Sequence, residues 1–178
     1  MIPARFENAK YEDVPQKLRE LFEKIKETRK GLYVYGKVGT GKTHIAYALK
    51  MAYDKPESGR VCLFKNTTEL LREMKADFDR PNYDKHFAED TLMNHTGLVI
   101  LDDVGSEKIT DWVAETFYLI INRRYNMMYP TIYTSNLSVE DLKDRIGDRT
   151  VSRIVEMSQV VELTGSDRRI NNAIKIIV

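Results

Sequence analysis

At 178 residues the chain is long enough for one domain with a buried core. A formal charge of +1 with 31% charged residues excludes a globally basic nucleic-acid binder, so any DNA contact must come from a local patch. No apolar run nears the ~20 residues of a membrane span, the N-terminus has no signal-peptide pattern, and one cysteine excludes a disulfide framework or cysteine zinc cluster, which suits a soluble cytoplasmic protein.

In chain order, residues 1–30 read as a lead-in segment, with a Lys- and Glu-rich helix over Pro15–Thr28, ahead of a core over 31–178. The core opens on Leu32-Tyr33-Val34-Tyr35, a short buried strand by pattern. Gly36-Lys37-Val38-Gly39-Thr40-Gly41-Lys42-Thr43 follows at once and runs into a helix over His44–Tyr53, with Ile45, Ala48 and Leu49 on one face. Strand, glycine loop and helix in that order form the context of a phosphate-binding P-loop. Glycines let the backbone curl with its N–H groups inward, and the helix N-terminus adds positive potential. In this reading Lys42 reaches the β- and γ-phosphates and the Thr43 hydroxyl ligates Mg²⁺. His44 is counted with the loop as a nucleotide contact.

Further strands are expected at Val61–Phe64, Leu98–Asp102, Thr131–Thr134 and Val160–Leu163, and helices over Glu69–Phe78, Trp112–Tyr129 and, in pieces, Val139–Ser158. Strand alternating with helix predicts a parallel sheet covered on both faces, with ligand beyond the carboxyl ends of the strands. The insertion Asp79–His95 is longer than a simple connection and includes a short helical pattern over His86–Met93.

Leu98-Val99-Ile100-Leu101 is a buried run ending in two acids, Asp102 and Asp103. Beside a triphosphate, Asp102 would hold Mg²⁺ directly or through water, and Asp103 would orient and deprotonate the attacking water. A pair of turn aspartates before Gly105 is the plainer alternative. Asn136, just after the fourth strand, could hydrogen-bond the attacking water or the γ-phosphate, while Ser138 with Asp141 reads as a helix cap. Arg149 and Arg153 lie four apart on one helical face. They are either solvated surface cations or a finger offered to a neighbouring subunit's γ-phosphate. Arg168 and Arg169 after the last strand could reach phosphate, DNA or only solvent. Arg123, Arg124 and Lys175 are further candidates for DNA contact.

Taken together, GKVGTGKT, LVILDDVGSEKITDW, TSN, DRTVSRI and GSDRR, with the opening Ile2–Ala9, resemble the ATPase core of bacterial replicative helicase loaders, the DnaC/DnaI type of the AAA+ class. The resemblance covers nearly the whole chain. It implies an α/β P-loop NTPase with an additional-strand core: a five-stranded parallel sheet flanked by helices, the acidic strand separated from the P-loop strand by the sensor strand. It implies Walker A roles for Lys42 and Thr43, Walker B roles for Asp102 and Asp103, and a first-sensor role for Asn136. Arg153 stands at the usual finger position with Arg149 its nearest competitor, and Arg168 is a second-sensor or DNA-contact candidate. Phe6 or Tyr11 would lie near the adenine. ATP or ADP with Mg²⁺ is the implied ligand. A replicative helicase, single-stranded DNA and further copies of the chain are the implied partners, with no membrane.

The departures from the family pattern shape the expectation. Asp103 stands where many AAA+ proteins have Glu, so its shorter reach predicts slow hydrolysis. Fourteen residues after Thr164 are too few for a helical lid, which loaders of this type also lack. Thirty-one residues before the first strand leave no room for the N-terminal domain that grips helicase, so the chain reads as an isolated core or a short form that recruits helicase differently. The leading expectation is an ATP-hydrolysing helicase loader. The nearest alternative is the related IstB-type transposition helper ATPase. A small-molecule kinase and a nucleotide-gated binding module with negligible hydrolysis are the remaining readings.

Overall fold

The computed structural model describes residues 2–55, 57, 59–77 and 87–166. Its strands are β1 (Gly31–Tyr35), β2 (Leu63–Asn66), β3 (Val99–Asp102), β4 (Thr131–Ser135) and β5 (Ser158–Glu162). They pair in parallel in the order β2-β3-β4-β1-β5. The acidic strand β3 is thus separated from β1 by β4. The helices are α1 (Gln16–Thr28), α2 (Lys42–Tyr53), α3 (Thr67–Asp77), α4 (Phe87–Asn94), α5 (Asp111–Asn126), α6 (Val139–Ile146) and α7 (Asp148–Glu156). Short 3-10 turns at Ala4–Phe6 and Tyr11–Asp13 lead into α1.

Strand alternation divides the core into two clusters, one on each face of the sheet. Leu32, Val34, Ile100 and Ile132 pack with Leu18, Phe22 and Ile25 of α1 and Ile45 and Leu49 of α2. Tyr33, Val99, Leu101 and Tyr133 face the opposite way, onto α3, α4, α5, α6 and α7. Leu18, Phe22 and Ile25 are each at most 3% exposed. Burying each contributes at most ~1.5–3 kcal/mol. The lead-in helix therefore shares the hydrophobic core of the sheet it precedes.

Local chemistry sets the helix ends. Thr110 Oγ1 accepts from Val113 N at the start of α5. Ser138 and Asp141 form a reciprocal capping box on α6. The expected helix over Val139–Ser158 divides at Gly147, whose φ of +88° suits glycine. The helix expected over Trp112–Tyr129 stops at Asn126, because Met128 takes a φ of +54° and Tyr129 N turns back to Arg124 O. The second strand sits two residues later than expected. Val61 and Cys62 are drawn into side-chain bonds instead: Val61 O meets His95 Nε2, Cys62 N donates to Asp54 Oδ1, and Cys62 O accepts from Lys50 Nζ. The fifth strand begins two residues early and ends one residue early. Of the insertion, α4 is described and residues 78–86 lie outside the described set. Among the described residues no helix follows β5, and none is long and apolar enough to cross a membrane.

One arginine departs from the sequence reading. Arg124, grouped with Arg123 as a DNA-contact candidate, is 1% exposed. Its guanidinium donates to Thr131 Oγ1, Leu92 O, His95 O, Gly97 O and Pro130 O at 2.7–3.1 Å. Burial pulls its pKa down to about 10, which still leaves it charged at neutral pH. Arg124→Met removes its donors from four carbonyls, of which Pro130 O keeps the Val99 N–H, and should cost about 3–5 kcal/mol, read as a lowered urea midpoint. Arg124→Lys should recover little, because an ammonium cannot reproduce the planar fork. Full stability in either variant would show that these bonds are not the fastening they look to be.

Candidate nucleotide site

The glycine loop leaves the carboxyl end of β1 pressed between neighbours. Gly36 N donates to Ser135 O, and Leu163 N donates to Tyr35 O at 2.7 Å. A Cβ on Gly36 would stand 2.2 Å from Leu163 O, so only glycine fits there. Gly39 and Gly41 take φ of +82° and +98°, turning the backbone into α2. Lys42 is 7% exposed, and its ammonium donates to Gly36 O at 2.7 Å and Lys37 O at 2.8 Å. Thr40 Oγ1 also donates to Lys37 O, closing the loop on itself.

A cleft of about 570 Å³ opens over this loop. Val38, Gly39, Gly41, Lys42, Thr43 and His44 form its floor. Asp103, Thr134 and Asn136 enter from the ends of β3 and β4, and Arg5 and Phe6 from the lead-in. Phe6 stacks on Tyr47, which stacks on Phe64, with ring centroids 4.7 and 4.0 Å apart. Tyr11, the other aromatic weighed for the base, is elsewhere: its hydroxyl donates to Glu23 and its ring tilts on Phe22. His44 Nε2 lies 3.3 Å from Asp13 Oδ2, tying the helix start to the lead-in.

The two acids occupy different environments. Asp102 is 3% exposed, and Thr43 Oγ1 lies 3.2 Å from each of its carboxylate oxygens. Thr134 Oγ1 donates to its Oδ1 at 2.7 Å. Burial raises the Asp102 pKa above the ordinary carboxylate range, and the two threonine bonds partly offset this. Asp103 takes a left-handed φ of +63°, a conformation aspartate tolerates better than most residues. Its N–H donates to Thr134 Oγ1, and its Oδ1 accepts from Asn136 Nδ2 at 2.7 Å. Behind the pair, Thr67 Oγ1 lies within reach of Asp102 O, Asp103 O and Glu107 Oε2. Glu107, its own pKa raised by burial, accepts from Gly105 N.

The residues present fit a magnesium nucleotide. Thr43 and Asp102 present hard oxygens close together, a donor set suited to Mg²⁺, which keeps its remaining ligands as water and phosphate oxygens. Among the described residues no group of three or more His, Cys, Asp or Glu forms a closed metal cage. Because Asp102 is a desolvated carboxylate, Asp102→Asn should leave the nucleotide-free protein equally stable or about 1 kcal/mol more stable. The same change should erase the magnesium dependence of ATP affinity, which titration calorimetry with and without Mg²⁺ would read.

The structure therefore brings Lys42, Thr43, His44, Asp102, Asp103 and Asn136 to one place. Arg149 and Arg153 are not there: they lie on α7 beside α5, away from their own chain's cleft. Arg168 and Arg169 lie outside the described residues. Sequence reasoning passed over Arg5, Thr67, Glu107 and the double role of Thr134. Only Thr134 carried a usable signal, as the last inward hydroxyl before the strand end.

A parallel sheet of this strand order, with a glycine loop after β1 and an acidic pair after β3, is a P-loop nucleotide-binding fold of the AAA+ class. The model of the IstB-like ATP binding protein family matches residues 5–175, and the chain belongs to that family. It is homologous to the replicative helicase loader DnaI of Bacillus subtilis (strain 168), 28% identical over 153 residues, covering 79% of this chain and 48% of that protein. The chain thus spans about half the length of that relative. The crystal structure of the DnaC helicase loader superposes with a TM-score of 0.77 and 30% identity, over 90% of this chain and 99% of that one. The replication initiator DnaA bound to AMPPCP and single-stranded DNA shares the fold, with a TM-score of 0.74 and 22% identity, over 90% of this chain and 51% of that one. The chain thus matches the IstB-like family and is also similar to the helicase loaders, the two readings weighed from sequence.

Proposed function

We propose that the chain binds ATP with Mg²⁺, hydrolyses it slowly, and assembles with copies of itself to deliver a replicative helicase to single-stranded DNA. The observation that carries this reading is the convergence of Asp102, Asp103 and Asn136 on the glycine loop across three strands. On binding, the Lys42 ammonium exchanges its two carbonyls for the β- and γ-phosphates. Mg²⁺, held by Thr43 and Asp102, would neutralise phosphate charge as it builds. Asp103 takes the proton of the attacking water, and Asn136 keeps that carboxylate pointed into the cleft through its 2.7 Å bond. Arg5 and Phe6 place the lead-in at the base end of the nucleotide, so residues 1–30 serve the core over 31–178. Arg153, or Arg149, completes a neighbour's site.

Purified protein should release phosphate from ATP with no added acceptor, at or below the ~1 s⁻¹ that marks the low end of typical enzymes. Release only in the presence of an acceptor would make it a kinase. Magnesium-dependent binding with no release would leave a nucleotide-gated module. The family's IstB-like description favours one second reading, a transposition helper. Capture by a replicative helicase, and not by a transposase, in the presence of ATP and single-stranded DNA separates the two. Of the proposed DNA contacts, Arg123 is exposed and Arg124 is buried.

A further inference from the structure

We propose that Tyr118, Asn122 and Tyr125 of α5 form a cradle that pre-orients the Arg153 guanidinium for a neighbouring copy's nucleotide, selecting Arg153 over Arg149 as the activating cation. The inference rests on the trans-arginine reading above and adds the residues that make it work. Tyr118, Asn122 and Tyr125 fall at i, i+4 and i+7, one stripe along α5, facing α7. The Arg153 guanidinium carbon lies 5.2 Å from the Tyr118 ring centre and 5.7 Å from that of Tyr125, both within cation–π range. Its Nε donates to Asn122 Oδ1 at 2.9 Å and its Nη1 to Arg149 O at 2.7 Å. Two of its three nitrogens are thus fixed, and among the described residues Nη2 has no protein partner.

Arg149 is held far less. Its guanidinium carbon lies 5.3 Å from the same Tyr118 ring, and among the described residues its side chain makes no hydrogen bond. Two cations therefore lie against one aromatic ring, an arrangement that an anion from outside would relieve. Among the described residues no carboxylate pairs with either arginine. Glu156, three residues beyond Arg153 on α7, accepts instead from the Tyr125 hydroxyl at 2.9 Å. The tyrosine thus does two things: it offers a ring face to Arg153 and engages the acid that would otherwise neutralise it. A long side chain with many rotamers is ordered before its target arrives, which lowers the entropic cost of reaching it.

The test compares Tyr118→Leu, Tyr118→Phe, Asn122→Ala and Asn122→Asp with Arg153→Ala and Arg149→Ala. The readouts are ATP affinity in dilute protein and turnover as protein concentration rises. Tyr118→Leu and Asn122→Ala should keep ATP affinity within about twofold while lowering concentration-dependent turnover by about 10–100-fold. Tyr118→Phe keeps the ring face and should restore turnover. Asn122→Asp, which sets a carboxylate against Nε, should lower turnover although every arginine remains. Mixing Tyr118→Leu protein with Lys42→Ala protein, whose own cradle is intact, should recover turnover at the shared interface. Cradle variants that match the parent while Arg153→Ala fails would sink the cradle alone. Tyr118→Leu activity that mixing cannot rescue would reduce the tyrosine to packing. A silent Arg153→Ala would remove both the trans-arginine reading and this one.

Discussion

Alanine in place of Lys42 should lose 2–5 kcal/mol of ATP binding, about 30- to several-thousand-fold in affinity. The buried ammonium rests on the Gly36 and Lys37 carbonyls of the loop, where it is already positioned to turn toward phosphate. The same change removes those loop bonds from the nucleotide-free fold, and the unliganded melting temperature should move by only a few degrees. Thermal shift separates the two effects. At 100 times Kd, ligand adds about 2.7 kcal/mol to the parent, a rise of about 5–11 °C for a domain of this size. The variant should show none of it. An unchanged affinity or an unchanged thermal shift would overturn the reading of the cleft as a nucleotide site.

Arg153→Ala should leave ATP affinity intact and lower turnover in assembled protein by about 10³-fold or more. Its guanidinium lies outside its own chain's cleft, so the loss must appear only where copies meet. Dilute protein should be indifferent to the substitution. Mixed with Lys42→Ala copies, which lack the ammonium but retain Arg153, the variant should regain activity, since each supplies what the other lacks. A loss equal in dilute and concentrated protein would place the arginine's role within its own protomer. Arg149→Ala showing the larger loss would transfer the role one turn back along α7.

The features legible in the sequence were those written in adjacent residues. The glycine loop needs positive φ at Gly39 and Gly41 directly after a strand, and β3 is a run of residues buried on both faces that ends in its acids. The splitting of the helical stretch at Gly147 is equally local. What the sequence hid depends on partners far along the chain. Thr134 contacts Asp102 and Asp103 across more than thirty residues, and nothing beside it in the chain announces the bond. Arg123 and Arg124 look interchangeable as neighbours, yet a helix turns about 100° between them, so one faces solvent and the other the sheet. The β2 boundary moved because Asp54, Lys50 and His95 claimed the groups that pattern reading gave to the strand.

The five bonds of Arg124 have a mechanical meaning. They join the start of β4, the approach to β3 and the end of α4, all at the amino ends of the strands and so opposite the cleft. The molecule is clamped at its rear and left to adjust at its mouth. Any response to a gained or lost phosphate should therefore be a small opening that pivots about this clamp. Amide exchange should be slow at Val99, whose N–H donates to the Pro130 carbonyl that Arg124 also holds, whatever fills the front.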